Sequence, residues 1–187
     1  GDCQNEDLRV QFDRRLKLKF LGSKVTTDAG LLAYRELDEA LGLTEMADDL
    51  LGDSRLGSNK QHRLLPLLRQ SIYSRLAGYE DVNDAERLSV DPAMRHVVGG
   101  RAALADKRAA STSEVGRFET EIINTSSNLT ALMRLSGEWI DNVHRCKPPK
   151  QLILDLDSSV SETYGQQEGT AYNGHFECSC YHPLFLF

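Results

Sequence analysis

The chain has 187 residues, of which 40% are hydrophobic and 27% charged, with a formal net charge of −6 at pH 7. This length suits one domain or one domain plus part of a second, and the composition is ordinary for a soluble globular protein. No apolar run approaches the roughly 20 residues of a membrane helix, and the N-terminal GDCQNEDLRV lacks the apolar core of a signal peptide. With only four cysteines, the sequence predicts an intracellular, cytoplasmic protein without a membrane partner.

The charges are distributed unevenly along the chain. Residues 28–53 carry eight acids and one base, whereas residues 55–108 carry ten bases and six acids. Blocks of this kind are usually solvated helix faces. The alternative is that the basic block contacts phosphates, which the acidic balance of the whole chain does not exclude.

Residues 1–146 are expected to be mainly helical. Weak alternation over residues 8–25 predicts a short strand or an extended arm. Thr27 or Asp28 is expected to cap a helix that ends at Gly42. Leucines at three- and four-residue spacing predict a second helix that stops near Gly78, with Pro66 at its start or at a kink.

Four further helices are predicted before residue 146. Their expected starts are Asp84, Asp91, Ser111, and Ser126 or Ser127. Ser111 and Glu114 have the spacing of a capping box, and the helix that they open is expected to run through Phe118 and Ile122.

The segment KPPK at residues 147–150 predicts a boundary, because consecutive prolines cannot continue a helix. QLILDLD and HFECSCYHPLFLF each predict a strand, and the turn-rich GQQEGTAYNG separates them. The predicted fold class is therefore α+β, with a helical region at 1–146 and the first strands of an incomplete sheet at 147–187. A two-stranded hairpin is marginal in water, so the rest of the sheet is expected to lie outside this chain or in another chain.

Asp155 and Asp157 are the residues most suggestive of chemistry. Side chains two apart in a strand share a face, and two carboxylates on one face repel unless a cation or a proton lies between them. Mg²⁺ suits this geometry, since it takes carboxylate oxygens and favours phosphate-bearing substrates. The alternative is that one aspartate merely ends the strand and caps a turn with Ser158 and Ser159. The spacing alone leaves both interpretations open.

Two known patterns fit this pair. LILDLDSSV is similar to the motif of haloacid-dehalogenase-like phosphatases, in which Asp155 would be the nucleophile and Asp157 the acid/base. That motif is normally followed by a helical cap or a βα unit, whereas a turn and a second strand are predicted here. The second pattern is longer, and it continues through several motifs downstream of the aspartates and upstream in the helical region.

These motifs are Asp155, Asp157 and Ser158; Tyr164-Gly165-Gln166-Gln167; Tyr172-Asn173-Gly174-His175; Cys180-Tyr181-His182-Pro183-Leu184; and, upstream, Gly78-Tyr79-Glu80-Asp81-Val82-Asn83-Asp84, Leu88 with Asp91-Pro92, and Gly116-Arg117-Phe118-Glu119. Together they resemble the N-terminal part of IS1380-type transposases (DDE transposase group 1). The resemblance extends over most of the chain.

The resemblance implies a DDE enzyme with an RNase H-like catalytic domain. Such enzymes hold two Mg²⁺ or Mn²⁺ ions with three carboxylates and cut or join DNA strands. Asp157 precedes a serine, as the first family aspartate does, and is implied to be the primary ligand, with Asp155 as an auxiliary carboxylate. No acid in this chain matches the second aspartate or the final glutamate of the family. A fragment that is inactive alone is therefore expected, and a non-catalytic DNA-binding remnant is the alternative.

The resemblance also implies partners and a location. The helical region would bind the terminal repeats of an insertion sequence and dimerise, so that a homo-oligomer assembles in a synaptic complex near the bacterial nucleoid. The polar residues expected near the DNA are Gln166, Gln167, Tyr172, Asn173 and His175, with Lys60 and Arg63 in the helical region. The alternative for the first group is ordinary turn hydrogen bonding, with Gly165, Gly169 and Gly174 supplying unusual dihedral angles.

Overall fold

A computed structural model describes residues 8–13, 15–18, 28–55, 60–104, 106–145 and 147–187. The chain divides into two compact units, residues 1–145 and 146–187. The described part of the first unit is mainly helical, and the described part of the second consists of strands and turns. The α+β fold class predicted from the sequence is confirmed at this level.

The first unit begins with two short paired strands. β1 (Leu8–Arg9) runs antiparallel to β2 (Lys17–Leu18). The α-helices that follow are α1 (Leu31–Leu41), α2 (Leu43–Leu50), α3 (Leu64–Leu76), α4 (Ala85–Leu88), α5 (Pro92–Val98), α6 (Thr112–Arg117) and α7 (Ser126–His144). Among the helices that the structure describes, none combines the length and apolar character needed to cross a membrane.

Several predicted helix boundaries are confirmed by local geometry. α1 ends at Gly42, whose φ of 73° is the left-handed conformation that glycine adopts without strain. α5 is capped by Asp91, whose carboxylate accepts from the backbone N–H of Met94 at 2.7 Å. Ser111 and Glu114 form the predicted capping box at the start of α6.

Other predicted boundaries are wrong. The N-cap of α1 is Gly30 rather than Asp28, whose carboxylate instead accepts from the Tyr79 hydroxyl, and Thr27 lies outside the described residues. The cap of α7 is Thr125, one residue before the predicted serines. Helix α2 was not predicted, although Leu43, Met46, Ala47 and Leu50 have the i, i+3, i+4, i+7 spacing of an amphipathic helix.

α6 ends at Arg117, where the hydrogen-bonding pattern changes, but the helical backbone does not stop there. The chain continues as a π-helical segment over Phe118–Ile123, in which Phe118 and Ile122 are buried. Wider turns of this type are often found at functional sites. The segment keeps Phe118 and Ile122 in the core, as the sequence predicted for a helix through these residues.

Helix α3 joins the two hydrophobic clusters of the first unit. Leu64, Leu67 and Leu68 pack in one cluster with Phe118, and Tyr73 packs in the other with residues of α5. Full burial of each such side chain stabilises the fold by about 1.5–3 kcal/mol. α3 is therefore the central helix of this unit, which explains why its apolar residues are not confined to one stripe.

The second unit contains two antiparallel sheets. One pairs β3 (Leu156–Ser158) with β7 (Leu184–Leu186). The other has the order β4–β6–β5, formed by Ser161–Glu162, Cys178–Tyr181 and Ala171–Asn173. The prediction of one long strand over HFECSCYHPLFLF is wrong, because His182 and Pro183 divide it into β6 and β7. Proline lacks the N–H that a continuous ladder would need.

Candidate functional site

Asp155 and Asp157 lie in the backbone ladder between β3 and β7. Asp157 is opposite Phe185 in the register, and the backbones of Asp155 and Phe187 exchange hydrogen bonds of 2.9 and 2.8 Å. Residues two apart in a strand project from the same face. The ladder therefore directs both aspartates to one face of β3.

Both aspartates are exposed, and so are the apolar residues around them. Leu154 keeps 66% of its surface accessible, Leu156 keeps 64%, and Phe187 keeps 71%. The strand-like apolar run is thus not a buried strand in this unit. The cost of burying a charge therefore does not apply to these two acids.

The carboxylates of Asp155 and Asp157 could supply part of the ligand set of a hard divalent cation. Carboxylate oxygens are the ligands that Mg²⁺ and Mn²⁺ prefer, and Mg²⁺ is commonly held by one or two carboxylates while it keeps several waters. In the described ranges, no cluster of three histidine, cysteine or acidic side chains could hold a metal ion. Asp155 and Asp157 therefore supply two carboxylates, and a two-metal centre would need further ligands.

The elements after Asp157 bear on the choice between the two family patterns. Strands β4, β5 and β6 follow, and residues 159–187, all of them described, contain no helix. The phosphatase pattern would place a helical cap or a βα unit in this position. The local fold therefore favours the transposase resemblance.

The polar residues expected near DNA lie in and beside β5. Gln166, Gln167, Tyr172 and His175 are exposed, and Asn173 is half-buried. The Asn173 side chain accepts from the backbone N–H of His175 at 2.9 Å, which closes a local turn. The backbone carbonyl of Gln167 accepts from the Thr170 hydroxyl at 2.8 Å. Asn173 thus has the structural role of a turn residue, whereas both glutamine side chains remain exposed.

The turns of this unit use left-handed backbone conformations in three places. Gly165 and Gly169 have φ values of 79° and 80°, as expected for glycines in tight turns. The same expectation for Gly174 is wrong. In the turn that contains Gly174, the residue with a positive φ is Glu177, at 55°. This is an uncommon conformation for a residue with a Cβ atom.

Lys60 and Arg63 lie just before α3 and differ in their surroundings. The Lys60 ammonium contacts Asp53 at 3.0 Å, and Asp53 also holds Arg55 at 2.8 Å. Arg63 is exposed and occupies the N-cap position of α3. The charge of Lys60 is therefore partly neutralised, whereas Arg63 is open to solvent.

Sequence reasoning missed a large open cavity beside these residues. It has a volume of about 1150 Å³ and is lined by parts of α3, α4 and α6, the π-helical segment and the loops between them. Six cationic side chains line it (Arg55, Lys60, Arg101, Lys107, Arg108 and Arg117), against four acidic ones (Glu86, Asp106, Glu114 and Glu121). The basic block at residues 55–108 contains five of these six cations, but a charge block does not reveal that its members converge, and Arg117 lies outside it.

Comparison with known proteins gives one result of note. The family model described as "Transposase DDE domain group 1" matches residues 8–187, which is nearly the whole chain. Neither the curated proteins nor the solved structures provide a significant match. The match includes both aspartates, the turn residues and the residues around the cavity.

Proposed function

This chain belongs to the transposase DDE domain group 1 family, and on that premise we propose that it is part of an IS1380-type DDE transposase. In this proposal the transposase binds the ends of an insertion sequence and performs metal-dependent DNA cleavage and strand transfer. The observation that carries the proposal is the family match over residues 8–187. The motif at Asp155, Asp157 and Ser158 supports the same function.

The second unit is proposed to be the start of an RNase H-like catalytic domain, and the first a region for DNA binding and dimerisation. The support for the catalytic part is the ladder that directs Asp155 and Asp157 to one face of β3. Both β3 and β7 have exposed apolar side chains that further strands of such a domain would cover. The second aspartate and the glutamate of the DDE triad are proposed to come from transposase sequence other than these residues.

Asp157 is proposed as the primary ligand of Mg²⁺ or Mn²⁺, and Asp155 as the auxiliary carboxylate. When bound, the two ions supply an activated water or 3′-hydroxyl and a stabilised leaving oxygen at the scissile phosphodiester. The chain itself is proposed to contribute orientation, because the backbone pairing at Asp155 and Asp157 directs both side chains to one face of the strand. Gln166 and Gln167 are exposed and are proposed to contact the DNA backbone nearby, together with Tyr172 and His175.

The proposed partners are the terminal repeats of the insertion sequence and further copies of the transposase. A homo-oligomer would bring two DNA ends together in one complex at the bacterial nucleoid. Because these residues contribute only part of the acid triad, the chain alone is proposed to be inactive in strand transfer. A remnant that binds DNA ends without cutting them is the alternative for the chain alone.

The test compares a complete transposase that contains these residues with its Asp157→Asn and Asp155→Asn variants, on transposon-end DNA with Mg²⁺. Loss of a metal ligand should lower the cleavage rate by more than about 100-fold, and loss of the auxiliary carboxylate by about 10–100-fold. Asp141→Asn is the matched control, since Asp141 is an exposed acid on α7. Cleavage by the Asp157 variant at the parental rate would contradict the assignment.

The phosphatase alternative is separated by a second assay. Release of phosphate from an aryl phosphate, abolished in Asp155→Asn, would support the alternative and contradict the transposase proposal. Absence of release, together with metal-dependent DNA cleavage by the complete enzyme, is the result expected here.

A further inference from the structure

The cavity in the first unit is lined by two exposed arginines, Arg101 and Arg117. Arg101 lies in the 3-10 turn Gly100–Ala103, and Arg117 is the last residue of α6. Both are exposed, and neither has an ion pair with any residue in the described ranges. Guanidinium groups present a planar fork of donors that matches the oxygens of a phosphate.

The other cations of the cavity are already engaged. Arg55 and Lys60 share Asp53, and the Lys107 ammonium contacts Asp106 at 2.6 Å. Arg108 reaches Glu86 at 3.5 Å. The acid Glu114 is also occupied, because its carboxylate accepts from the backbone N–H and the hydroxyl of Ser111. Arg101 and Arg117 are thus the cations most available to an anion.

A buried histidine with an unpaired ring nitrogen lies in the wall of the same cavity. His62 is 6% exposed, and its Nδ1 has no hydrogen-bond partner in the part of the chain that the structure describes. Burial lowers the pKa of His62, the Glu114 carboxylate raises it, and Arg101 and Arg55 lower it, with a net decrease. A ligand that reached this nitrogen would supply the hydrogen bond that it lacks.

The shape of the cavity suits part of a chain rather than a free ion. Its volume of about 1150 Å³ is far larger than a phosphate ion needs, and it is open to solvent along one side. Buried apolar side chains such as Leu67 and Phe118 line it together with six cationic and four acidic side chains. A positively charged groove that follows the backbone is a recurring feature of proteins that bind nucleic acids.

We infer that this cavity binds the phosphate backbone of a DNA strand, with Arg101 and Arg117 as the principal cationic contacts and His62 in its wall. This inference rests on the proposed function, which names DNA as the partner, and it assigns the contact to a defined place in the helical unit. Glu121 also lines the cavity, is exposed, and forms no ion pair within the described ranges. It acts against the binding of an anion.

The test measures binding of a fluorescently labelled DNA duplex to the 187-residue chain by anisotropy at several salt concentrations. The variant R101Q/R117Q is compared with R145Q/K147Q, which removes the same charge from exposed cations outside the cavity. Each phosphate contact contributes about 0.9 to the slope of log K against log salt. The cavity variant should therefore lose about 2 from that slope and bind at least about tenfold more weakly at ~0.1 M salt, whereas the control should not.

A third variant should have the opposite effect on the affinity for DNA. Glu121→Gln should strengthen binding, because it removes the unpaired carboxylate of the cavity. All variants are first compared by circular dichroism and thermal unfolding, so that a loss of binding is read only from folded protein. Equal affinities for R101Q/R117Q and R145Q/K147Q would overturn the inference.

The outcomes also separate this inference from the proposed function. Binding that depends on Arg101 and Arg117, without metal-dependent cleavage by the complete enzyme, would support the cavity and contradict the proposed catalysis. Metal-dependent cleavage, together with DNA binding that does not depend on Arg101 and Arg117, would support the proposed catalysis and contradict the inference about the cavity. If the parental chain bound no DNA at any salt concentration, the inference would be wrong.

Discussion

The backbones of Asp155 and Phe187 exchange two hydrogen bonds, although 32 positions of the printed sequence separate the two residues. This pair extends the β3–β7 ladder, in which Asp157 lies opposite Phe185. The run LFLF therefore pairs, through backbone hydrogen bonds, with the segment that contains both proposed metal ligands.

The ladder predicts that two neighbouring proline substitutions have different effects on metal binding. Hydrogen-bonded and non-hydrogen-bonded pairs alternate in an antiparallel ladder, so the register gives Phe185 an N–H directed at β3 and Leu186 an N–H directed away. Phe185→Pro should weaken Mn²⁺ binding to the chain by about tenfold or more, as loss of a supporting contact commonly does. Leu186→Pro is the control and should have a smaller effect. Titration with Mn²⁺ followed by electron paramagnetic resonance measures both, and equal effects would contradict the role assigned to the ladder.

Gln70 should be essential for the stability of the first unit. Its amide donates to the carbonyl of Ala110 and accepts from the N–H of Ala110, both at 2.8 Å, and the side chain is fully buried. Gln70→Leu leaves two buried backbone groups unpaired, at about 1–3 kcal/mol each. We expect a drop of about 2–4 kcal/mol in the free energy of unfolding, measured with urea. Gln61→Leu, at an exposed position, should change it little.

Tyr73 should contribute through its hydroxyl as well as its ring. The hydroxyl donates to Asp38 at 3.0 Å, and Asp38 also accepts from the Thr44 N–H at 2.8 Å. Burial raises the pKa of Tyr73, and the charge of Asp38 raises it further, so the hydroxyl stays protonated. Tyr73→Phe should lower the free energy of unfolding by about 1–3 kcal/mol. Tyr34→Phe is the control, since Tyr34 is 51% exposed. Equal melting temperatures for the two variants would contradict this role.

Asp53 should make stability depend on pH in the acid range. Hydrogen bonds from the Arg55 side chain hold the pKa of Asp53 well below its usual range, burial acts in the opposite direction, and Lys60 lowers it further. A carboxyl group with a lowered folded pKa stabilises the protein above its unfolded pKa of about 3.9, and this contribution is lost as pH falls through the folded value. The difference in unfolding free energy between the parent and Asp53→Asn should be large at about pH 6 and shrink towards about pH 2. A difference that is constant with pH would contradict the ion pair.

The sequence predicted some parts of this structure and missed others for identifiable reasons. Caps at Asp91, Ser111 and Gly42 were predictable because they depend on local hydrogen bonds and glycine dihedrals. The buried face of α3 was predicted only in part. Leu76 belongs to the expected apolar stripe but is 51% exposed, whereas Gln70 and Tyr73 are buried, because α3 packs in two clusters and uses polar contacts to distant segments.

Of the two candidate sites, one was predictable from the local sequence and the other was not. Asp155 and Asp157 were recognisable because their spacing and their motif are local. The convergence of Arg101, Arg117 and His62 on one cavity depends on how α3, α6 and the intervening loops pack, so no local pattern reveals it. The same holds for Asn128, whose side chain bonds both backbone groups of Gly52 across the unit.

The central claim is that Asp157 binds the metal ion of a DNA-cutting enzyme, and a metal-rescue measurement tests it most directly. The complete transposase with Asp157→Cys is assayed for cleavage of transposon-end DNA with Mg²⁺ and with Mn²⁺, beside Asp141→Cys as the control. A thiolate is a poor ligand for Mg²⁺ and a better one for the softer Mn²⁺. The account predicts that the Asp157 variant is inactive with Mg²⁺ and recovers cleavage with Mn²⁺, while the control is active with both. Undiminished cleavage by the Asp157 variant with Mg²⁺ would contradict it.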